Sequence, residues 1–227
     1  MKTIIVVGGS KGIGNAIINK LVNSCKVVNI SRTAPNLEHV NLNHFSCDVI
    51  QENLPEIETV DGLIYCPGSI NLKPISRLSI DDFKNDFEIN VLGAVKVIQK
   101  YLPILKTGNK PSILLFSTVA AKLGMPFHAS ISTSKSGVEG LVKSLGAELA
   151  PTIRINAIAP TVTDTQLASK LLRNDKMIEN ITERHPLKRF LNPEEVADMA
   201  VFLISDKAAS MSGQVFEMDC GIVTFKI

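Results

Sequence analysis

The 227-residue chain has no apolar run long enough to span a bilayer, no clustered cysteines and no excess of one charge. A membrane-spanning helix needs about 18 or more consecutive apolar residues. The first apolar run, after Lys2, lasts five residues before Gly8 breaks it, which is also too short for a secretory leader. The four cysteines, Cys25, Cys47, Cys66 and Cys220, lie far apart and form no C-x-x-C pair. A chain of this length builds a core without disulfide staples, so free thiols and a cytoplasmic location are expected. The four histidines, His39, His44, His128 and His185, lack metal-ligand spacing, and no metal site is expected. A net charge of +2 with 20% charged residues supplies no basic field for nucleic acid. Low-complexity stretches, linkers and internal repeats are missing too, which leaves a single domain over 1–227.

What is present is organised around Thr3 to Gly14, T-I-I-V-V-G-G-S-K-G-I-G. Ile4 to Val7 read as a strand buried on both faces, as in a parallel sheet. Glycines follow at Gly8, Gly9, Gly12 and Gly14, and helical apolar spacing (Ile13, Ile17, Ile18, Leu21) begins at once. A strand, a glycine turn and a helix N-terminus together make a pyrophosphate site. Glycine lets the backbone approach the ligand, while free N–H groups and the helix dipole favour negative charge. The plainer reading, a simple strand-to-helix turn, seldom needs glycines at 8, 12 and 14.

Further strand patterns run over Lys26–Ser31, Leu42–Cys47, Gly62–Cys66, Ser112–Ser117, Ile153–Ile158 and Gln214–Met218, alternating with helical patterns. The expected fold class is α/β, a doubly wound parallel sheet of seven strands with helices on both faces. The second strand ends in Ser31-Arg32. A dinucleotide fold places an acid there for the ribose hydroxyls, whereas an arginine accommodates a 2′-phosphate. Arg32, with Lys11 in the glycine turn, therefore points to NADP(H) over NAD(H); solvated surface cations are the alternative. Asp48 follows the third strand as an acceptor for an adenine amino group or as a turn cap. The connection from Val49 to Asp61, with Pro55 inside, leaves room for two or three helical turns at most.

A long helix is expected after Ser79, with Asp82 as its capping partner and Phe83, Phe87, Val91, Ala94 and Ile98 on its apolar face. Asn90 sits within it, mildly unfavourable for a helix. Beyond Gly124, Pro126 and His128 comes another helix, striped by Val138, Leu141, Val142, Leu145 and Leu149. Lys135 lies in its first turns, against the dipole. The polar stretch from Thr165 to about Arg184 reads as a lid over the cleft. Asn192, Pro193 and Glu195 open the last helix.

In this order the pieces resemble the short-chain dehydrogenase/reductase family along essentially the whole chain. The motifs that carry the resemblance are Gly8-x-x-x-Gly12-x-Gly14, Cys47-Asp48-Val49, Asn90-x-x-Gly93, Ser134-Lys135-x-Gly137, Arg154-x-Asn156-Ala157-x-Ala159-Pro160 and Pro193-Glu194-Glu195-Val196-Ala197. Ser212-Gly213-Gln214-Val215 and Asp219-x-Gly221 match at the end. The resemblance implies a single Rossmann-like domain, a homodimer or homotetramer, and an Asn-Ser-Tyr-Lys set for moving protons while a nicotinamide exchanges hydride. Asn90 and Lys135 match that set, and Thr118 stands at the Ser position. The Tyr position, four before Lys135, is Ile131, which carries no exchangeable proton. The resemblance places the cofactor against Gly8, Ser10, Lys11, Gly12, Ile13 and Gly14 in the turn. Ser31, Arg32, Cys47, Asp48 and Val49 would meet its adenosine end. Cys66, Pro67, Gly68, Asn90, Lys135, Pro160, Val162, Thr163 and Thr165 would meet its nicotinamide end.

Another group has to supply the proton if the chain is a reductase. His128, three residues before Ile131, is one candidate because imidazole titrates near neutrality. Ser130, Ser132, Tyr65 and a water between Lys135 and Thr118 are others. Tyr101 is about 16 Å along the helix from Asn90 and is discounted. Three readings stay open at this point: an NADP(H)-dependent reductase of an unidentified carbonyl or hydroxyl substrate with an altered proton donor; a catalytically disabled protein that binds NADP(H) as a sensor or structural partner; or other chemistry in the same pocket, such as isomerisation, elimination or hydride transfer to a carbon–carbon double bond.

Overall fold

A computed structural model describes residues 1–225. Its strands are β1 (Thr3–Val7), β2 (Lys26–Ser31), β3 (Leu42–Ser46), β4 (Gly62–Tyr65), β5 (Ser112–Phe116), β6 (Arg154–Pro160) and β7 (Val215–Met218). They form one seven-stranded sheet in the order β3-β2-β1-β4-β5-β6-β7. Every neighbouring pair is parallel. All seven expected strands are therefore present, with ends shifted by two residues at most. The order changes direction at β1, between β2 and β4, and at such a switch point open α/β sheets leave a crevice for ligands.

Burial on both faces explains why the strands read as apolar runs. Ile5, Val7, Leu63, Ile113 and Ile155 belong to one core, with Val97, Ile98, Tyr101, Val138 and Val142 from the helices above. Ile4, Val6, Ile64, Leu114 and Ile158 belong to the other, with Ile17, Ile18 and Leu21 of α1 (Gly12–Leu21) and Val196, Ala200 and Leu203 of α6 (Pro193–Ile204). Each fully buried aliphatic side chain contributes about 1.5–3 kcal/mol, so Ile5→Ala would cost roughly 2–5 kcal/mol once the cavity is included.

The helix after Ser79 starts as expected: the Ser79 hydroxyl accepts the Asp82 N–H at 3.1 Å and the Asp82 carboxylate accepts the Ser79 N–H at 2.9 Å. It is not continuous. It runs as α2 (Ile80–Phe87), a π-helical turn over Glu88–Leu92, and α3 (Gly93–Leu105). The Asn90 side-chain amide donates to the Asp86 carbonyl at 2.7 Å, competing with the regular backbone ladder at that turn. The stretch 49–61, given two or three turns at most by its length, holds no helix.

The long helix α4 is Ala129–Leu149, and α5 is Asp175–Arg184 within the segment read as a lid. No residue of α5 is buried. Pro193 opens α6, and the Glu195 carboxylate accepts the Asn192 N–H at 2.9 Å. The Arg154 guanidinium donates to the carbonyls of Leu203, Ser205 and Met211, which ties the end of α6 to β6. Among the described residues, no helix is long and apolar enough to cross a membrane and no His/Cys/Asp/Glu group is arranged to hold a metal. All four cysteines are free.

Candidate active site

The glycine turn sits at the carboxyl end of β1. Gly12 adopts φ +53°, in the left-handed region where a side chain is strained. A Cβ at Gly14 would stand 2.4 Å from the Gly8 carbonyl oxygen, so α1 packs onto the turn at a distance only glycine allows. No side chain caps α1 and its first turn contains no acid, which leaves its N–H groups and dipole uncompensated. That cradle fits a pyrophosphate. Thr165 packs over Gly12 and Pro67 over Gly8, so the ends of β6 and β4 flank the turn.

Asn29, fully buried in β2, was not singled out by sequence reasoning, although a lone amide in the apolar run K-V-V-N-I-S was its signal. Its Oδ1 accepts the Gly9 N–H at 3.0 Å, and its Nδ2 donates to Ser31 Oγ at 2.8 Å and to His44 Nδ1 at 2.9 Å. One side chain thus holds the glycine turn and Ser31 together. Ser31 Oγ donates on to the Thr33 carbonyl at 2.9 Å. Arg32 and Lys11 are exposed at this edge, and neither belongs to an ion pair among the described residues. Asp48 Oδ1 accepts the Ile50 N–H at 3.0 Å, so it caps a turn. The Cys47 and Val49 side chains lie in the core, and burial pushes the Cys47 thiol up.

At the other end of the cleft, Gly68 marks where three elements converge. A Cβ there would lie 3.4 Å from Asn90 Oδ1 and 3.6 Å from Lys135 Nζ. The loop after β4, the π-turn and α4 therefore bring Asn90 and Lys135 to one point. Lys135, 8% exposed, donates to the Phe116 carbonyl at 2.8 Å. Burial holds its ammonium down at about 8, partly offset by Cys66 and Asp86. The Cys66 thiol is pushed up by burial to about 12 and stays neutral. Asn90 Oδ1 is buried without a hydrogen-bond partner.

The other candidates are arranged as follows. Thr118 Oγ1 accepts the Ala120 N–H at 3.4 Å and lies 3.5 Å from the Pro160 carbonyl. Ile131, one turn before Lys135 on α4, is buried. Both tyrosines are committed elsewhere: Tyr65 donates to the Ile89 carbonyl at 2.7 Å and Tyr101 to the Pro55 carbonyl at 2.8 Å. Burial pushes both phenols up. This removes Tyr65 as a proton donor. Ser130 donates to Asp86 and Ser132 to the Ala120 carbonyl, so neither hydroxyl is free. His128 Nδ1 sits 2.7 Å from the Pro126 carbonyl, and the residue lines a cleft of about 590 Å³ together with Ile75, Ala120, Leu123, Met125 and Ser132.

Beyond β6, Thr163 Oγ1 donates to the Thr161 carbonyl at 3.0 Å, and the Val162 carbonyl accepts the Leu191 N–H at 3.0 Å. His185, fully buried and also missed at the sequence level, bridges Thr161 Oγ1 and the Ile181 carbonyl, each at 2.7 Å. A carbonyl only accepts, so Nδ1 carries the proton and Nε2 takes the Thr161 hydroxyl. The end of α5 is thereby moored to the end of β6.

The chain resembles known proteins over nearly its whole length. A family model described as Enoyl-(Acyl carrier protein) reductase matches residues 43–223. The 2,5-dichloro-2,5-cyclohexadiene-1,4-diol dehydrogenase of Sphingobium indicum is 31% identical, with 97% of this chain and 96% of that protein covered. Carbonyl reductase (NADPH) 2 of Sus scrofa is 27% identical, with 96% and 94% covered. The crystal structure of a short chain dehydrogenase family protein from Francisella tularensis superposes with a TM-score of 0.90 at 26% identity, covering 99% of this chain and 100% of that one. With the glycine cradle after β1 and the Asn90–Lys135 convergence beside it at the carboxyl end of the sheet, these matches make the chain a member of the short-chain dehydrogenase/reductase family, whose members bind nicotinamide cofactors.

Proposed function

We propose that this chain is an NADP(H)-dependent oxidoreductase of a carbonyl or hydroxyl substrate, in which the Lys135 ammonium, through a water, takes over the proton transfer that the family assigns to a phenol. The observation that carries the reading is the buried Lys135 ammonium beside Gly68 and the unpartnered Asn90 oxygen. When bound, the nicotinamide supplies or accepts the hydride. The glycine turn and the α1 N-terminus hold its pyrophosphate, and Arg32 and Lys11 meet a 2′-phosphate. The NADPH in the pig relative's name is in keeping with that choice.

The chain's own groups account for the rest. Ile131, one turn from Lys135, brings no hydroxyl to the place a phenol would otherwise reach, and in this reading a water takes that part. Lys135 spends one N–H on Phe116 and has others for that water. An ammonium poised near 8 gives up and regains a proton readily around neutral pH. Thr118 offers its hydroxyl to the substrate oxygen.

The test is a fluorescence titration with NADPH and NADH, followed by NADPH oxidation against a panel of ketones, quinones and acyl thioesters. Tighter binding of NADPH and turnover of a carbonyl are expected. Tight binding without turnover on any substrate overturns the enzymatic reading in favour of a binding protein.

A further inference from the structure

Asp86 is a carboxylate that the site described above leaves unused. It lies on α2, is 2% exposed and belongs to no ion pair among the described residues. Burying an uncompensated carboxylate is expensive. Two hydroxyls meet it: Ser69 donates to Oδ1 at 2.5 Å and Ser130 to Oδ2 at 2.6 Å. Ser69 directly follows Gly68, and Ser130 directly precedes Ile131. The carboxylate therefore clamps the loop after β4 to the start of α4, on either side of the reacting centre.

The clamp also fixes Asn90. Its Nδ2 donates to Ser69 Oγ at 3.0 Å and to the Asp86 carbonyl at 2.7 Å. A carbonyl cannot donate, so the amide has one orientation, and its oxygen is turned away from Asp86. That oxygen, buried and unpartnered, lies beside the Gly68 position that Lys135 Nζ also flanks. Charge acts in the same direction. The ionisable groups that bear on the Lys135 ammonium are the Cys66 thiol, which is neutral, and Asp86. Asp82, one turn before Asp86 on the same helix, is paired with Lys73, and His128, on the loop ahead of α4, is bonded to its own loop.

We infer that Asp86 is a positioning residue for proton transfer: through Ser69 it aims the Asn90 oxygen at the water or hydroxyl held by Lys135, and its charge keeps the proton on the ammonium. This role rests on the oxidoreductase reading, but it has a readout that needs no substrate. Full-length protein labelled with 15N-lysine is titrated by NMR, with the Lys135 resonance assigned by its loss in Lys135→Met. Asp86→Asn is expected to move the Lys135 midpoint down by roughly one unit. Asp86→Glu, which keeps the charge, is expected to restore most of it. An unmoved midpoint in a folded Asp86→Asn protein overturns the electrostatic role.

Ser69→Ala cuts the link to Asn90 while leaving the carboxylate, and it serves if Asp86→Asn fails to fold. It is expected to lower kcat at least tenfold, with KM and NADPH affinity little changed. Unchanged kcat overturns the aiming role. A wild-type protein without turnover sinks the oxidoreductase reading, and the lysine titration then still decides the part played by Asp86.

Discussion

The Lys135 ammonium is tied at 2.8 Å to the Phe116 carbonyl at the end of β5, which pins the charge to the carboxyl end of the sheet rather than to a neighbouring side chain. A charge held by a single carbonyl keeps its other N–H groups for the cleft. It also remains costly to bury, which is why it titrates so far below an ordinary lysine.

Restoring a phenol is the most direct test of the missing acid. Ile131→Tyr places a hydroxyl one helical turn from Lys135. It is expected to raise kcat for carbonyl reduction by roughly 10²–10⁴-fold, the usual contribution of a positioned general acid. Steady-state kinetics on one ketone in both proteins measures the gain, and an unchanged rate sinks the idea that only the donor was lost.

The pH profile follows from the same lysine. The proposed reduction uses the protonated ammonium, so kcat/KM is expected to be flat below about pH 8 and to fall above it. Stability runs the other way. The folded value, about 8, lies below the ordinary 10.5, so the unfolded chain holds the proton across that window and the folded chain does not. Stability due to Lys135 therefore rises with pH from about 8 to 10.5. Lys135→Met removes that dependence and is expected to stabilise the protein at pH 7 by about 1–3 kcal/mol. Urea midpoints of both proteins at pH 7 and pH 10 check the sign.

The proposed preference for NADP(H) turns on Arg32 and Lys11. Arg32→Ala is expected to weaken NADPH by about 10–100-fold, the worth of a charge-assisted contact, with NADH much less affected. Lys11→Ala should act in the same direction and less strongly. Equal weakening of both nucleotides in fluorescence titrations removes the basis for a 2′-phosphate site.

The mooring of α5 has its own signature. His185→Ala leaves the Thr161 hydroxyl and the Ile181 carbonyl without their imidazole, at a cost of about 1–3 kcal/mol. Hydrogen exchange is expected to speed up over Asp175–Arg184 and stay unchanged in β1. Equal protection in the variant argues against the mooring.

Much of this was legible in the residues themselves. Strands buried on both faces advertise themselves as branched apolar runs, and the caps at Ser79 and Asn192 fix helix starts locally. Lys135, against the dipole of its helix, stood out for the same local reason. Asp86, Asn29 and His185 did not, because their roles depend on partners far away in sequence. Asp86 reads as one more acid on a solvated helix face until Ser69 and Ser130 close over it. The π-turn is illegible for another reason: Phe87, Val91, Ala94 and Ile98 keep a plausible helical rhythm across it.

That turn sets the amide's aim without disturbing the interior. An i→i+5 turn absorbs one residue more than an α-turn, so the helix keeps its phase on either side of it. Deleting one residue between Glu88 and Leu92 would therefore return the stretch to regular α-helix and leave Val97, Ile98 and Tyr101 against the sheet. The change would fall on Asn90 and its neighbours alone, so the extra residue serves the cleft while the packed face beyond it stays as it was.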